Sequence, residues 1–118
     1  PLYVVDRGGL IRDLRRLSDA FTALPGDVGI YYAMKSNSMP EIVSVLAGEG
    51  AGIDASSGLE LEKALAAGAG ALLFSGPGKT DGELSLAIDH AETELAPHVI
   101  GDLQSAGADL PGKGDYLQ

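Results

Sequence analysis

The stretch AGIDASSGLELEKALAAGAGALLFSGPGKTDGE, residues 51–83, decides how this chain folds. AGID is a short apolar run that stops at Asp54. Ser57 stands three residues before Glu60. That is the form of a capping box, in which a hydroxyl accepts the amide three residues on and the carboxylate there reaches back. Apolar residues from Leu59 to Leu65 continue as a helix. ALLFS is a second apolar run, and Thr80 with Glu83 repeats the box ahead of Leu84 and Ile88. Strand, turn and helix in alternation predict a parallel sheet covered by helices.

Upstream, IYYAMKSNS (30–38) carries the same grammar. VGIYYAM (28–34) predicts a buried strand, and Ser38 with Glu41 a third capping box, opening the helix of Ile42, Val43 and Leu46. Further back, LYVVD (2–6) predicts a strand ended by Asp6 and the Gly8-Gly9 pair. Leu10, Ile11, Leu14, Leu17, Phe21 and Leu24 then recur at helical spacing, with Arg12, Arg15 and Arg16 between them and Pro25-Gly26 as the stop. From about Glu92 the helical period is lost. Pro97, Pro111 and several glycines break the chain, and HVIGDL and DYLQ read as short strands between loops. The expected organisation is an α/β unit over 1–92 and a β-rich segment over 93–118.

The chain of 118 residues is 45% hydrophobic, which suits a packed core rather than disorder. Seventeen acids face eight bases, for a net charge of −9. That balance argues against nucleic acid and anionic membranes as partners. No cysteine is present, so disulfides, thiolate catalysis and cysteine zinc sites are excluded within the chain. His90 and His98 do not have a metal-ligand spacing, and no metal is expected. No run of apolar residues is long enough for a transmembrane helix. PLYVVDRGG lacks the pattern of a signal peptide, and a cytoplasmic protein is the expectation.

In a parallel α/β sheet ligands gather at the carboxyl ends of the strands. Lys35, Asp54 and the loop SGPGK (75–79) all fall there. After Arg7, Arg12, Arg15 and Arg16 the only bases are Lys35, Lys63, Lys79 and Lys113, so a lysine closing an apolar strand stands out. A partly desolvated amine at that point suits Schiff-base chemistry, and Asp54 on the next strand is placed to pair with whatever the lysine holds. Plainer readings stand beside these. Lys35 can be a solvated strand end, Asp54 a turn cap, Glu60 a capping-box partner, and SGPGK, which lacks P-loop spacing, a tight turn.

PLYVVD, YYAMKSN, GEGAGIDASSGLELEKALAAGA and LLFSGPGKTDGELSLAI resemble, in order and spacing, the N-terminal half-barrel of the fold-type III pyridoxal-phosphate decarboxylases. These are the diaminopimelate, ornithine and arginine decarboxylase relatives. SNSMPE follows the lysine where the related alanine racemases carry a Tyr-Gly-His-Gly run, so the decarboxylase branch fits better. The resemblance implies a partial (β/α)8 TIM barrel of the alanine racemase-like type, with pyridoxal 5'-phosphate as cofactor. It implies a lyase that decarboxylates a basic or diamino acid, acting as a homodimer on a small-molecule amino-acid substrate. Lys35 matches the lysine that bonds the cofactor aldehyde, with Ala33 and Asn37 flanking it. Asp54 matches the aspartate near the cofactor ring, and Glu60 the acidic residue of a GEL-type segment. Ser57 and Lys79 match recurrent positions. The tail VIGDLQSAGADLPGKGDYLQ resembles a later β-domain segment whose aspartate, here Asp109, reaches across a dimer. Gly101, Gly114 and Asp115 have counterparts there, while Gln104 replaces a cysteine. A full barrel takes about 250 residues, and the family's ring-stacking histidine, phosphate loop and ring-nitrogen glutamate have no match in this chain. The alternative is a non-catalytic, decarboxylase-like binding or regulatory module.

Overall fold

In the computed structural model the described residues are 1–26, 28–90 and 93–95, the last three by their backbone alone. Helix α1 (Arg7–Phe21) comes first, and three strand-helix units come after it: β1 (Tyr31–Ala33) with α2 (Pro40–Gly48), β2 (Gly52–Ala55) with α3 (Gly58–Ala66), and β3 (Leu72–Phe74) with α4 (Asp81–Asp89). β4 (Thr93–Leu95) closes the series. The strands are all parallel in the order β1-β2-β3-β4. Each crossover therefore advances by one strand in the same direction, the winding of a barrel wall rather than of a sheet whose order reverses.

Period-two alternation sets the two faces of the sheet. Ile53, Ala55, Leu72 and Phe74 are buried in one cluster with Val43 of α2, Leu61 and Ala64 of α3, and Leu84 and Ala87 of α4. Met34, just past β1, joins them at 1% exposure. The helices thus cover one face. Gly52, Asp54 and Leu73 alternate to the other. α1 packs on α2 through Leu10 and Leu14 against Ile42, Leu46 and Ala51, and the Arg15 guanidinium donates to Glu49 from Nε at 3.0 Å and from Nη2 at 2.7 Å.

Two expectations fail for identifiable reasons. LYVVD is not a strand: Leu2, Tyr3 and Val4 are 87%, 95% and 83% exposed, and no strand among the described residues pairs with them. β-branched composition gives a segment the means to be a strand, but the ladder needs a partner. Instead Asp6 caps α1, accepting the Gly8 amide on Oδ1 at 2.9 Å, and the glycine pair lies inside the helix. α1 also ends at Phe21, short of Leu24 and the Pro25-Gly26 stop. The second failure is the box at Ser38. Met39 is the N-cap of α2 without a side-chain bond, because Pro40, with its fixed φ and no amide hydrogen, occupies the first turn. Ser38 Oγ instead accepts from Lys63 Nζ of α3 at 3.4 Å.

The other two boxes are present to different degrees. Thr80 and Glu83 form both reciprocal bonds. Ser57 Oγ accepts the Glu60 amide at 3.3 Å, but the Glu60 carboxylate reaches one residue further back, to the Ser56 amide at 2.7 Å. Leu59, which the apolar pattern includes, is 62% exposed, and α3 buries Leu61 and Ala64. The expected division at 92/93 falls just ahead of β4, which adds to the same parallel sheet. The strands HVIGDL and DYLQ, with Gly101, Gln104, Asp109, Gly114 and Asp115, lie outside the described residues.

Candidate active site

The face of the sheet opposite the helices carries polar groups at its carboxyl end. Tyr31 is in register with Gly52, and Ala33 with Asp54. A Cβ on Gly52 would stand 2.5 Å from Tyr31 Cδ1 and Cε1, so the ring fills the place of a side chain there and only glycine fits. One step further along β2, Asp54 is half-buried. Its Oδ1 accepts from Ser75 Oγ at 2.5 Å, a bond between side chains on adjacent strand ends.

Lys35 lies past the end of β1, the strand adjacent to Asp54. The Met34 amide donates to Asp54 O at 2.9 Å, extending the ladder by one residue. The chain then turns, with the Ser36 amide and hydroxyl both donating to Ala33 O, at 3.2 and 2.7 Å. The turn carries Lys35 out of the sheet, and it is exposed rather than partly desolvated as expected. Its amine makes no hydrogen bond or ion pair with the described residues. Asn37 shapes the entry to α2. Its carbonyl accepts from Tyr32 Oη at 2.9 Å, and its Oδ1 accepts the Met39 amide at 3.0 Å, an Asx turn that leads into the helix.

The loop 75–79 is built around its own lysine. Lys79 Nζ donates to the carbonyls of Gly76 at 2.9 Å and Ser56 at 3.2 Å, and also to Ser75 O. It sits 4.3 Å from the centroid of the Phe74 ring, within cation–π range. Gly76 and Gly78, at φ +96° and +74°, supply the left-handed turns that fold the lysine back. Glu83 ties two helix starts together, accepting the Gly58 amide at 2.8 Å and the Thr80 amide at 2.9 Å. The Thr80 amide, then the Gly58 amide and the Thr80 hydroxyl, hold the Glu83 carboxyl below the usual glutamate range, with a small contribution from the Lys79 charge.

The sequence-predicted residues thus separate. Ala33 and Asp54 are direct neighbours, and Lys35 stands two residues beyond Ala33. Glu60 is half-buried at the same end of the sheet, its carboxylate engaged by the Ser56 amide. Asp109 is outside the described residues. Ser75 was missed. Its signal was parity: counted from buried Leu72 and Phe74, position 75 falls on the face of Asp54.

Residues 8–99 match the family described as pyridoxal-dependent decarboxylase, pyridoxal binding domain. The chain belongs to that family. It is 41% identical over 91 residues to a diaminopimelate decarboxylase of Pseudomonas fluorescens, covering 75% of this chain and 21% of that protein. Among solved structures, the diaminopimelate decarboxylase of M. jannaschi superimposes with a TM-score of 0.70 at 32% identity, over 75% of this chain and 22% of the other. The Helicobacter pylori diaminopimelate decarboxylase complexed with L-lysine gives 0.62 at 28% identity, over 84% and 27%. The chain therefore spans between a fifth and a third of the length of these relatives. Its sheet is a partial (β/α) barrel of the alanine racemase-like type.

The cofactor of this family is pyridoxal phosphate, an aldehyde that bonds a primary amine. The residues present fit it. The Lys35 amine is exposed and uncommitted among the described residues, whereas the Lys79 amine is enclosed by carbonyls. Ala33, in register with Asp54, places the smallest chiral side chain beside that residue on the neighbouring strand.

Among the described residues no helix is long and apolar enough to cross a membrane.

Proposed function

We propose that the protein acts as a pyridoxal-phosphate-dependent decarboxylase of a basic or diamino acid, of the diaminopimelate or ornithine type. The observation that carries this reading is the exposed Lys35 amine past β1, next to the strand of Asp54, in a chain of this family. The names of the relatives support the substrate class. When bound, pyridoxal phosphate supplies the electron sink that lets a carboxylate leave as carbon dioxide. Lys35 Nζ would hold the cofactor through its aldehyde. Asp54, with Oδ1 engaged by Ser75, offers Oδ2 to the cofactor or to the Lys35 nitrogen. Ala33 leaves room beside that carboxylate, and Glu60 acts at one remove by fixing the turn after β2. Asp109 contributes across a homodimer, in the cytoplasm.

The test is borohydride reduction of the protein loaded with cofactor, then digestion and mass analysis. A pyridoxyl mass on the Lys35 peptide, lost in Lys35→Ala, is expected. An adduct on Lys79, or one that survives Lys35→Ala, overturns the assignment. An adduct on Lys35 without carbon dioxide release from any basic or diamino acid would favour the non-catalytic module. Sedimentation velocity should show a dimer, and a concentration-independent monomer would remove the role of Asp109 across the interface.

A further inference from the structure

We infer that Ser75 is a positioning residue for Asp54, holding its carboxylate at the mouth where Lys35 stands. The inference rests on the reading of Lys35 and Asp54 as the cofactor site.

An aspartate carboxylate rotates broadly about its last bond, so a strand position alone does not aim its oxygens. Ser75 removes that freedom by donating to Oδ1 at 2.5 Å. The donor is itself held on both sides. Its amide bonds Ala55 O at 2.9 Å, which carries the β2–β3 ladder one residue past Phe74. Its carbonyl accepts from Lys79 Nζ, which also grips Gly76 O and Ser56 O. Ser75 is thus fixed by backbone contacts before its hydroxyl meets Asp54, and the Lys79 clamp reaches Asp54 through it. A group held by packed and bonded neighbours keeps a site geometry that a loop hydroxyl free to turn would lose. With Oδ1 engaged, Oδ2 carries no hydrogen bond among the described residues and is the oxygen left for a ligand.

The plainer account is a tether between strand ends that serves stability alone, and a double-mutant cycle separates the two. Pyridoxal phosphate is titrated against the purified protein, with the borohydride-fixed fraction on Lys35 as the readout. Urea midpoints are recorded alongside. Ser75→Ala should weaken loading about tenfold, in line with the loss of one hydrogen bond to a charged group. Ser75→Thr, which keeps the hydroxyl, should restore most of it. In an Asp54→Ala background the same Ser75→Ala change should alter loading by less than about twofold. Should Ser75→Ala fail to fold, Ser75→Cys keeps the volume with a weaker donor and carries the same comparison. Equal loss with and without Asp54, or wild-type loading in Ser75→Ala, overturns the positioning role while leaving Lys35 assigned. A wild-type protein that forms no Lys35 adduct overturns both.

Discussion

Lys35 and Lys79 stand beyond the ends of β1 and β3, on either side of β2, and their surroundings give them opposite uses. Lys79 folds back over its own loop, meets three carbonyls and lies against the Phe74 ring. Lys35 rides out on a turn, exposed, with its amine uncommitted among the described residues. An ammonium whose donors are spent on carbonyls is part of the fold. An amine without such bonds is open to react once it has given up its proton. In the function proposed above, the lysine that serves chemistry is the one left without such bonds, while Lys79 ties the strand ends together.

The largest expected effect breaks the pair apart by stability. Lys79→Met removes the bonds to Ser56, Ser75 and Gly76 and the ring contact, and should cost about 1–2 kcal/mol, the lower part of the range for such losses because the half-buried loop can rehydrate its carbonyls. Lys35→Met should stay within about 0.5 kcal/mol, as surface substitutions do. Urea midpoints measure both. If the two variants lose the same stability, Lys35 has structural partners and the contrast is wrong.

The same contrast shows what the sequence made legible. The repeated alternation of apolar runs with capped helices carried the parallel sheet, because strand and helix signals there are local. The Thr80–Glu83 box was readable for that reason, and so was a lysine closing the strand of Tyr31 and Tyr32. The misreadings involved distant partners or a competing local rule. LYVVD has the composition of a strand, but no described strand pairs with it. Ser38 has the spacing of a cap, yet Pro40 sets the helix start one residue later. The role of Lys79 depends on two left-handed glycines that turn the loop back, and the Ser75–Asp54 bond depends on the register of β2 and β3, which no single strand encodes. Lys35 was placed correctly at a strand end, while its exposure comes from the Ala33–Ser36 turn.

A smaller effect sharpens the contrast through pH. Glu83 belongs to the Lys79 side of the molecule, bonding the starts of α3 and α4, and backbone amides rather than the lysine charge are the main cause of its lowered pKa. A carboxyl whose folded value lies below its unfolded one contributes stability that is fully present above the ordinary value of 4.5 and is lost as pH falls through the lower folded value. Glu83→Gln keeps an acceptor but not the charge, so it should be less stable than wild type at neutral pH by about 1 kcal/mol or less. That gap should close as the solution is acidified below 4.5. Asp6, also lowered by amides, Gly9 first and then Gly8, is common to both proteins and cancels in the difference. Because the Lys79 charge contributes least to holding Glu83 down, Lys79→Met should leave the gap and its pH range almost unchanged. A gap that persists at low pH would mean Glu83 acts by packing. A gap that disappears with Lys79 would mean that the two side chains form one ion pair, and the carbonyl clamp would then have to share its amine with a carboxylate.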